Sequence, residues 1–357
     1  TVAQQQAVHK AVKDFVLSGV DLPTEDKKIA KQQQLRLSEL STQFSNQLLD
    51  ATQAWHHHVT DETELQGVTE AGKALLANNA QTKGKNGWLL TLDFPSYQAV
   101  ITYADNRALR EKLYHAYSTR ASDQFPQGDQ TNTWDNTPLM AEMLALRYQS
   151  AQLLGFGNYA ELSLANKMAQ DPAQVIAFIR DLIGKGKPKA QQELAALKAR
   201  AAQDGVLDYA SWDHAYYSEK LQQEQYQLAD EALRPYFPVP KVLSGLFAIC
   251  EQVLEVRFVP TAYPQKLWHG DVQYFELYQL DNGALGQKIA GCLLDLYARE
   301  QKQSGAWMDE CQGKTQDQLP VAFLTCNFRP PATGQVGLLS HDEVITLFHE
   351  FGHGLHH

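Results

Sequence analysis

Residues 340–357 read SHDEVITLFHEFGHGLHH. Within them His349-Glu350-Phe351-Gly352-His353 has the H-E-x-x-H pattern. Residues four apart are neighbours on one helix face, so His349 and His353 can grip a single metal ion between them. Glu350 lies about 100° round the helix from His349, within reach of a water beside that ion. The local sequence also asks for a helix. Ser340 and Glu343 form an S-x-x-E capping box, and Val344, Leu347, Phe348, Phe351 and Leu355 make an apolar stripe behind the histidines. Gly352 keeps one flank of the pair slim. H-E-x-x-H arises by chance in about one chain in a hundred of this length, and two histidines on one face can be a plain surface pair. The cap and the apolar flank decide for a zinc-binding helix, with Glu350 the candidate general base of a metal-assisted hydrolysis.

A third ligand does not follow from this stretch. His356 stands where an H-x-x-G-x-x-H continuation would need glycine, which excludes that class of site. His357 is four residues past His353, but a helix rises about 1.5 Å per residue, so His349 and His357 are about 12 Å apart along the axis. One ion with bonds of about 2 Å cannot bridge that span. A glutamate from another helix, farther along than His357, is the expected third donor.

The chain has 357 residues, of which 44% are hydrophobic and 20% charged, as in an ordinary globular protein. Its net charge of −10 argues against nucleic acid or an anionic membrane as partner. No apolar run approaches the ~20 residues needed to cross a bilayer, and no signal peptide opens the sequence. Cys250, Cys292, Cys311 and Cys326 are far apart, without C-x-x-C, which suits reduced thiols in the cytoplasm. Both ends are expected to be internal to a longer polypeptide. Residues 1–19 begin inside a helical pattern with no cap ahead, and the 340–357 helix ends without glycine or proline.

Helical periodicity dominates residues 1–256. It predicts helices over 25–58, 98–119, 138–154, 159–168, 213–233 and 240–256, with a short strand in 84–97 closed by Pro95. Asp171-Pro172, a cap followed by proline at the first helical position, opens a long helix to about Gln203. The triplet His56-His57-His58 is placed at a helix end, and residues 121–137 form a polar loop carrying Pro126, Gly128, Asn132 and Asn136. From Arg257 the character changes. Residues 272–278, 293–298 and 320–328 are β-branched or aromatic runs separated by turns such as Asp281-Asn282-Gly283. The expected organisation is a mainly α protein: a helical body (1–256), then a small sheet and the metal helix (257–357). An exposed edge strand beside a metal helix can hold an extended peptide, and residues 321–328 are the candidate, with Ala322, Phe323 and Leu324 as substrate-binding positions.

Several blocks together resemble one family, the thimet oligopeptidase, neurolysin and oligopeptidase A zinc peptidases, with the bacterial oligopeptidase A branch the nearest in look. The blocks are residues 341–344 (HDEV) and 347–356 (LFHEFGHGLH), 321–328 (VAFLTCNF), 294–300 (LDLYARE), 305–308 (GAWM), 268–269 (WH), 275–278 (FELY), 216–220 (YYSEK), 167–169 (KMA) and 117–122 (YSTRAS). They keep one order along nearly the whole chain. The resemblance implies a mostly helical, two-lobed body around a deep channel that admits short unstructured peptides. It also implies one Zn²⁺, a cytoplasmic setting, and a third ligand glutamate a few tens of residues past His353. Residues 279–294 depart from the family's usual turn, being longer and differently composed. Two other readings stay open: a helical zinc carboxypeptidase, and a catalytically silent peptide-binding module.

Overall fold

The computed structural model describes residues 1–125, 134–227, 229–331 and 334–357. The elements are α1 (Val2–Leu17), α2 (Thr24–Ala54), β1 (His56–Val59), α3 (Glu70–Thr82), β2 (Trp88–Thr91), α4 (Phe94–Tyr103), α5 (Arg107–Ser118) and α6 (Thr137–Leu153). They continue with α7 (Tyr159–Leu164), α8 (Pro172–Gln203), α9 (His214–Tyr226), α10 (Asp230–Leu233) and α11 (Val239–Leu254). Five strands follow, β3 (Val256–Pro260), β4 (Gln273–Asp281), β5 (Ala284–Tyr297), β6 (Trp307–Gln312) and β7 (Val321–Phe328), and then α12 (His341–His356). The protein is mainly α, with a small sheet ahead of the last helix, as the patterning predicts. Among the described residues no helix is long and apolar enough to cross a membrane. All four cysteines are free.

By contacts the chain forms two compact units, Thr1–Ala51 with Ser118–Tyr209, and Thr52–Tyr117 with Ala210–His357. The first holds α1, most of α2, and α6 to α8. Thr1 itself caps α1 in a capping box with Gln4. Asp171 accepts from the Gln174 N–H and Pro172 sits in the first turn, so α8 starts and stops where the sequence places it. The α2 and α6 helices are tied by Arg36, which donates twice to Glu142, and by the Asn136 amide, which donates to the Phe44 carbonyl. Of the expected 121–137 loop, Pro126, Gly128 and Asn132 lie outside the described residues.

In the second unit the local chemistry redraws several expected boundaries. The histidine triplet is strand, not helix end: His57 pairs with Leu90 and Val59 with Trp88 across β1 and β2. Pro95 opens a helix instead of closing a strand, because Asp93 accepts from the Ser96 N–H and caps α4. The 98–119 helix is broken at residues 104–106, where the Asn106 side chain accepts from the Leu109 N–H and starts α5. The expected 213–233 helix stops at Tyr226, since Gln227 is left-handed with φ +53°.

The larger sheet has strand order β3-β4-β5-β7-β6. β5 and β7 run parallel, and the remaining pairs are antiparallel. The stretch 279–294 is a long hairpin, with β5 beginning at Ala284 rather than near Leu293. Asn282 (φ +51°) and Gly283 (φ +82°) make the two-residue turn with both φ positive that suits the strands' twist. One face of the sheet packs on α11 and α12 through Leu246, Phe258, Phe275, Leu294, Leu324, Phe328, Leu347 and Phe351.

Candidate metal centre

The metal helix is built from its cap inward. The Glu343 N–H donates to Ser340 Oγ (3.1 Å) and the Ser340 N–H to Glu343 Oε2 (2.7 Å), completing the capping box on α12. Leu347 and Phe351 are buried against the sheet, with Val344 and Leu355 beside them. Phe348 is the exception to the expected stripe: it is 37% exposed, because one residue past Leu347 the helix has turned it about 100° away.

That orientation leaves His349 and His353 on the exposed face. Their Nε2 atoms stand 3.2 Å apart with the rings nearly perpendicular, at 85°. Two ligands on one tetrahedral zinc, with bonds of about 2.0–2.1 Å, are separated by about 3.3 Å, a spacing that the Nε2 pair matches. Gly352, between them, has open space where a side chain would project. Glu350 lies on the other side, 7% exposed, and among the described residues no hydrogen bond reaches its carboxylate. Its charge is felt by the Cys326 thiol on β7. Burial first, and Glu350 second, push that thiol up to about 12.

The remaining histidines do not join the pair. His357 turns to β6, its Nε2 at 3.1 Å from the Gln312 carbonyl and its Nδ1 at 3.6 Å from Glu310. His356 is exposed. Among the described residues no group of three or more His, Cys, Asp or Glu could hold a metal ion, so the described ligand set has two donors.

The strand read as an open edge is interior. Ala322 faces Cys292 on β5 and Glu310 on β6, Phe323 faces Leu293 and Asp309, and Leu324 faces Leu294 and Met308. Both ladders of β7 are therefore taken, and no peptide can add along it. Leu324 is 1% exposed, under α12 and against Gly354. The open ladder on this side belongs to β6, which the sequence reading did not identify as a strand. Its polar run Asp309-Glu310-Cys311 hides it from hydrophobic patterning.

Two polar groupings around the helix and sheet also escaped the sequence. Arg234 donates to Glu343 at 2.8 Å across 109 residues. On the sheet's other face, buried Asp295 accepts from Arg299, Lys302 and the Trp268 indole at 2.7–2.9 Å. Neither partnership leaves a local signal.

Residues 100–357, which include the whole of α12, match the model of Peptidase family M3. Over 99% of its length the chain is 51% identical to oligopeptidase A of Escherichia coli (strain K12) and 50% identical to oligopeptidase A of Salmonella typhimurium. In each case it covers 52% of the relative. It is 34% identical to dipeptidyl carboxypeptidase of Escherichia coli over 96% of this chain and 49% of that one. The chain thus spans about half the length of these curated relatives, and it belongs to peptidase family M3.

Proposed function

We propose that this chain carries the metal helix of a zinc metallo-oligopeptidase that hydrolyses internal bonds of short unstructured peptides in the cytoplasm. The observation that carries the reading is the 3.2 Å approach of the His349 and His353 Nε2 atoms on the open face of α12, with Glu350 one residue away. His349 and His353 would hold the ion as neutral imidazoles. When bound, Zn²⁺ supplies Lewis acidity, brings the pKa of a water to about 7 and polarises the scissile carbonyl. The Glu350 carboxylate takes the proton of the attacking water and returns it to the leaving amine. Among the described residues no hydrogen bond occupies its oxygens, so both are available to a water. An extended substrate would add its backbone along β6, the edge strand of the sheet, short of the Gln312 carbonyl that His357 occupies, and β6 replaces β7 in this role.

The test is Glu350→Gln in the full-length gene product. Loss of turnover by about 10²–10⁴-fold, with zinc content unchanged, supports a general base. Equal loss of zinc makes Glu350 structural. The likeness to a dipeptidyl carboxypeptidase favours a second reading, removal of residues from the C-terminal end. Mass analysis of the products of a blocked-end peptide separates the two, since an amidated C-terminus stops the second and not the first. A wild-type product that binds zinc and cleaves neither the blocked-end peptide nor its free-ended counterpart would leave only the binding module.

A further inference from the structure

Arg234 reaches the entrance of α12 from outside the helix. Its Nη1 donates to the Leu338 carbonyl (3.1 Å) and to Glu343 Oε2 (2.8 Å), on either side of the Ser340 cap, while its Nε donates to Glu231 (2.7 Å). The backbone beside it is stitched to the same place. The Val239 N–H donates to the Gly337 carbonyl and the Leu339 N–H to the Phe237 carbonyl, each at 2.9 Å, around a bridge between Pro238 and Leu338. Glu343 therefore does more than cap: one carboxylate receives Arg234, the Ser340 N–H and the Arg329 N–H (3.3 Å). Arg234 is 8% exposed. Burial disfavours its charge, but Glu343 and Glu231 outweigh that and hold its pKa above the ordinary value.

We propose that Arg234 is a positioning residue for the metal centre: through Glu343 it fixes the angle at which α12 leaves its cap, and so where His349, Glu350 and His353 stand. The proposal rests on the reading of that helix given above. The physical argument is a lever. With a rise of about 1.5 Å per residue, His349 and His353 lie about 9 and 15 Å beyond Glu343, so a tilt of about 5° moves His353 by about 1.3 Å. The apolar contacts of Leu347 and Phe351 hold the helix down but are non-directional. A fork that grips both sides of the cap supplies the direction. Misplacement of reacting groups by about 1 Å costs on the order of 100-fold in rate.

The experiment uses the full-length gene product with Arg234→Met, Arg234→Lys, Glu343→Gln and the Met/Gln double variant. Three quantities are read: kcat and KM on an internally quenched peptide, the visible absorption of the Co²⁺-substituted protein, and Tm. Arg234→Met and Glu343→Gln should each lower kcat about 10- to 100-fold and change the Co²⁺ spectrum, with KM within about 2-fold. The double variant should be no worse than the poorer single, because both act along one path. Lysine, which keeps the charge and loses the fork, should recover part of kcat. A lower Tm with unchanged kcat and Co²⁺ spectrum would reduce Arg234 to a stabilising ion pair and overturn the proposal. So would losses that multiply in the double variant. Should Arg234→Met not fold, Glu343→Gln and Arg234→Lys decide by the same criteria. If the wild type binds Co²⁺ but cleaves no peptide, the functional reading fails, while the spectra still decide the role of Arg234.

Discussion

Asp295 shows how much one buried carboxylate can hold. It is 4% exposed, and both oxygens are filled by Arg299, Lys302 and the Trp268 indole. Lys302 also donates to the carbonyls of Asp295, Tyr297 and Cys326, joining the ends of β5 and β7 where their register shifts. Burial raises the pKa of Asp295, but Arg299, Lys302 and Trp268 outweigh it and hold the carboxyl well below the usual range. Its folded pKa is thus below the unfolded value of about 3.9. The stability it lends is complete above that value and is lost as pH falls through it toward the folded pKa. Asp295→Asn should cost about 3 kcal/mol at pH 7, since it strands the nearly buried Lys302 ammonium and the partly buried Arg299 guanidinium, and denaturant melts should show the gap to wild type narrowing steadily as pH falls below about 4. An undiminished gap at low pH would locate the loss elsewhere. Trp268, Asp295 and Arg299 lie in blocks that carry the resemblance, but nothing in the sequence joined them into one cluster, whereas His349, Glu350 and His353 were legible as a group because they fall within about one turn of a single helix. Arg234 and Glu343, 109 residues apart, were not legible as a pair.

Elements were legible where their ends carry their own chemistry. Asp171-Pro172 placed the start of α8, and Ser340 with Glu343 placed that of α12. Ser340→Ala removes the acceptor for the Glu343 N–H and should cost about 1 kcal/mol, read as a drop in Tm. A loss much above about 2 kcal/mol would mean the hydroxyl does more than cap. The turn at Asn282-Gly283 was also recognisable, but the strand beyond it was not, because residues 284–288 (ALGQK) lack the alternation of a half-buried strand. That hairpin predicts its own test. Gly283 has φ +82°, so Gly283→Ala should destabilise by about 1 kcal/mol although the space around it is open. No effect on the denaturation midpoint would mean the turn relaxes to another type. The status of β7 could not be read at all: edge or interior is decided by which strands arrive on either side, and β6 arrives from a polar stretch.

At the scale of the whole molecule the distribution of apolar surface matters most. In the first unit none of the described residues of α1 is buried, and Val8, Val12, Phe15 and Val16 form an exposed row at helical spacing. On α8, Ile176, Ile179, Leu182 and Ile183 form a second. The C-terminal part of the same helix does bury Leu197 and Ala201, so these rows are local to particular stretches. Contiguous apolar rows of this kind drive association in water. Opposing them is the net charge of −10, whose repulsion acts over about 10 Å at 0.1 M salt and about 3 Å at 1 M. The 357-residue chain by itself is therefore expected to bind an apolar dye and to self-associate more strongly as NaCl is raised, because salt screens the repulsion and leaves the apolar attraction intact. Sedimentation velocity at the two salt concentrations checks this. Ile179→Glu with Ile183→Glu should cut both dye binding and association while shifting stability by no more than about 0.5 kcal/mol, as exposed positions allow. A marked fall in Tm for that pair would mean the α8 row is covered in solution. Association that weakens with salt would mean charge, not apolar surface, brings the copies together.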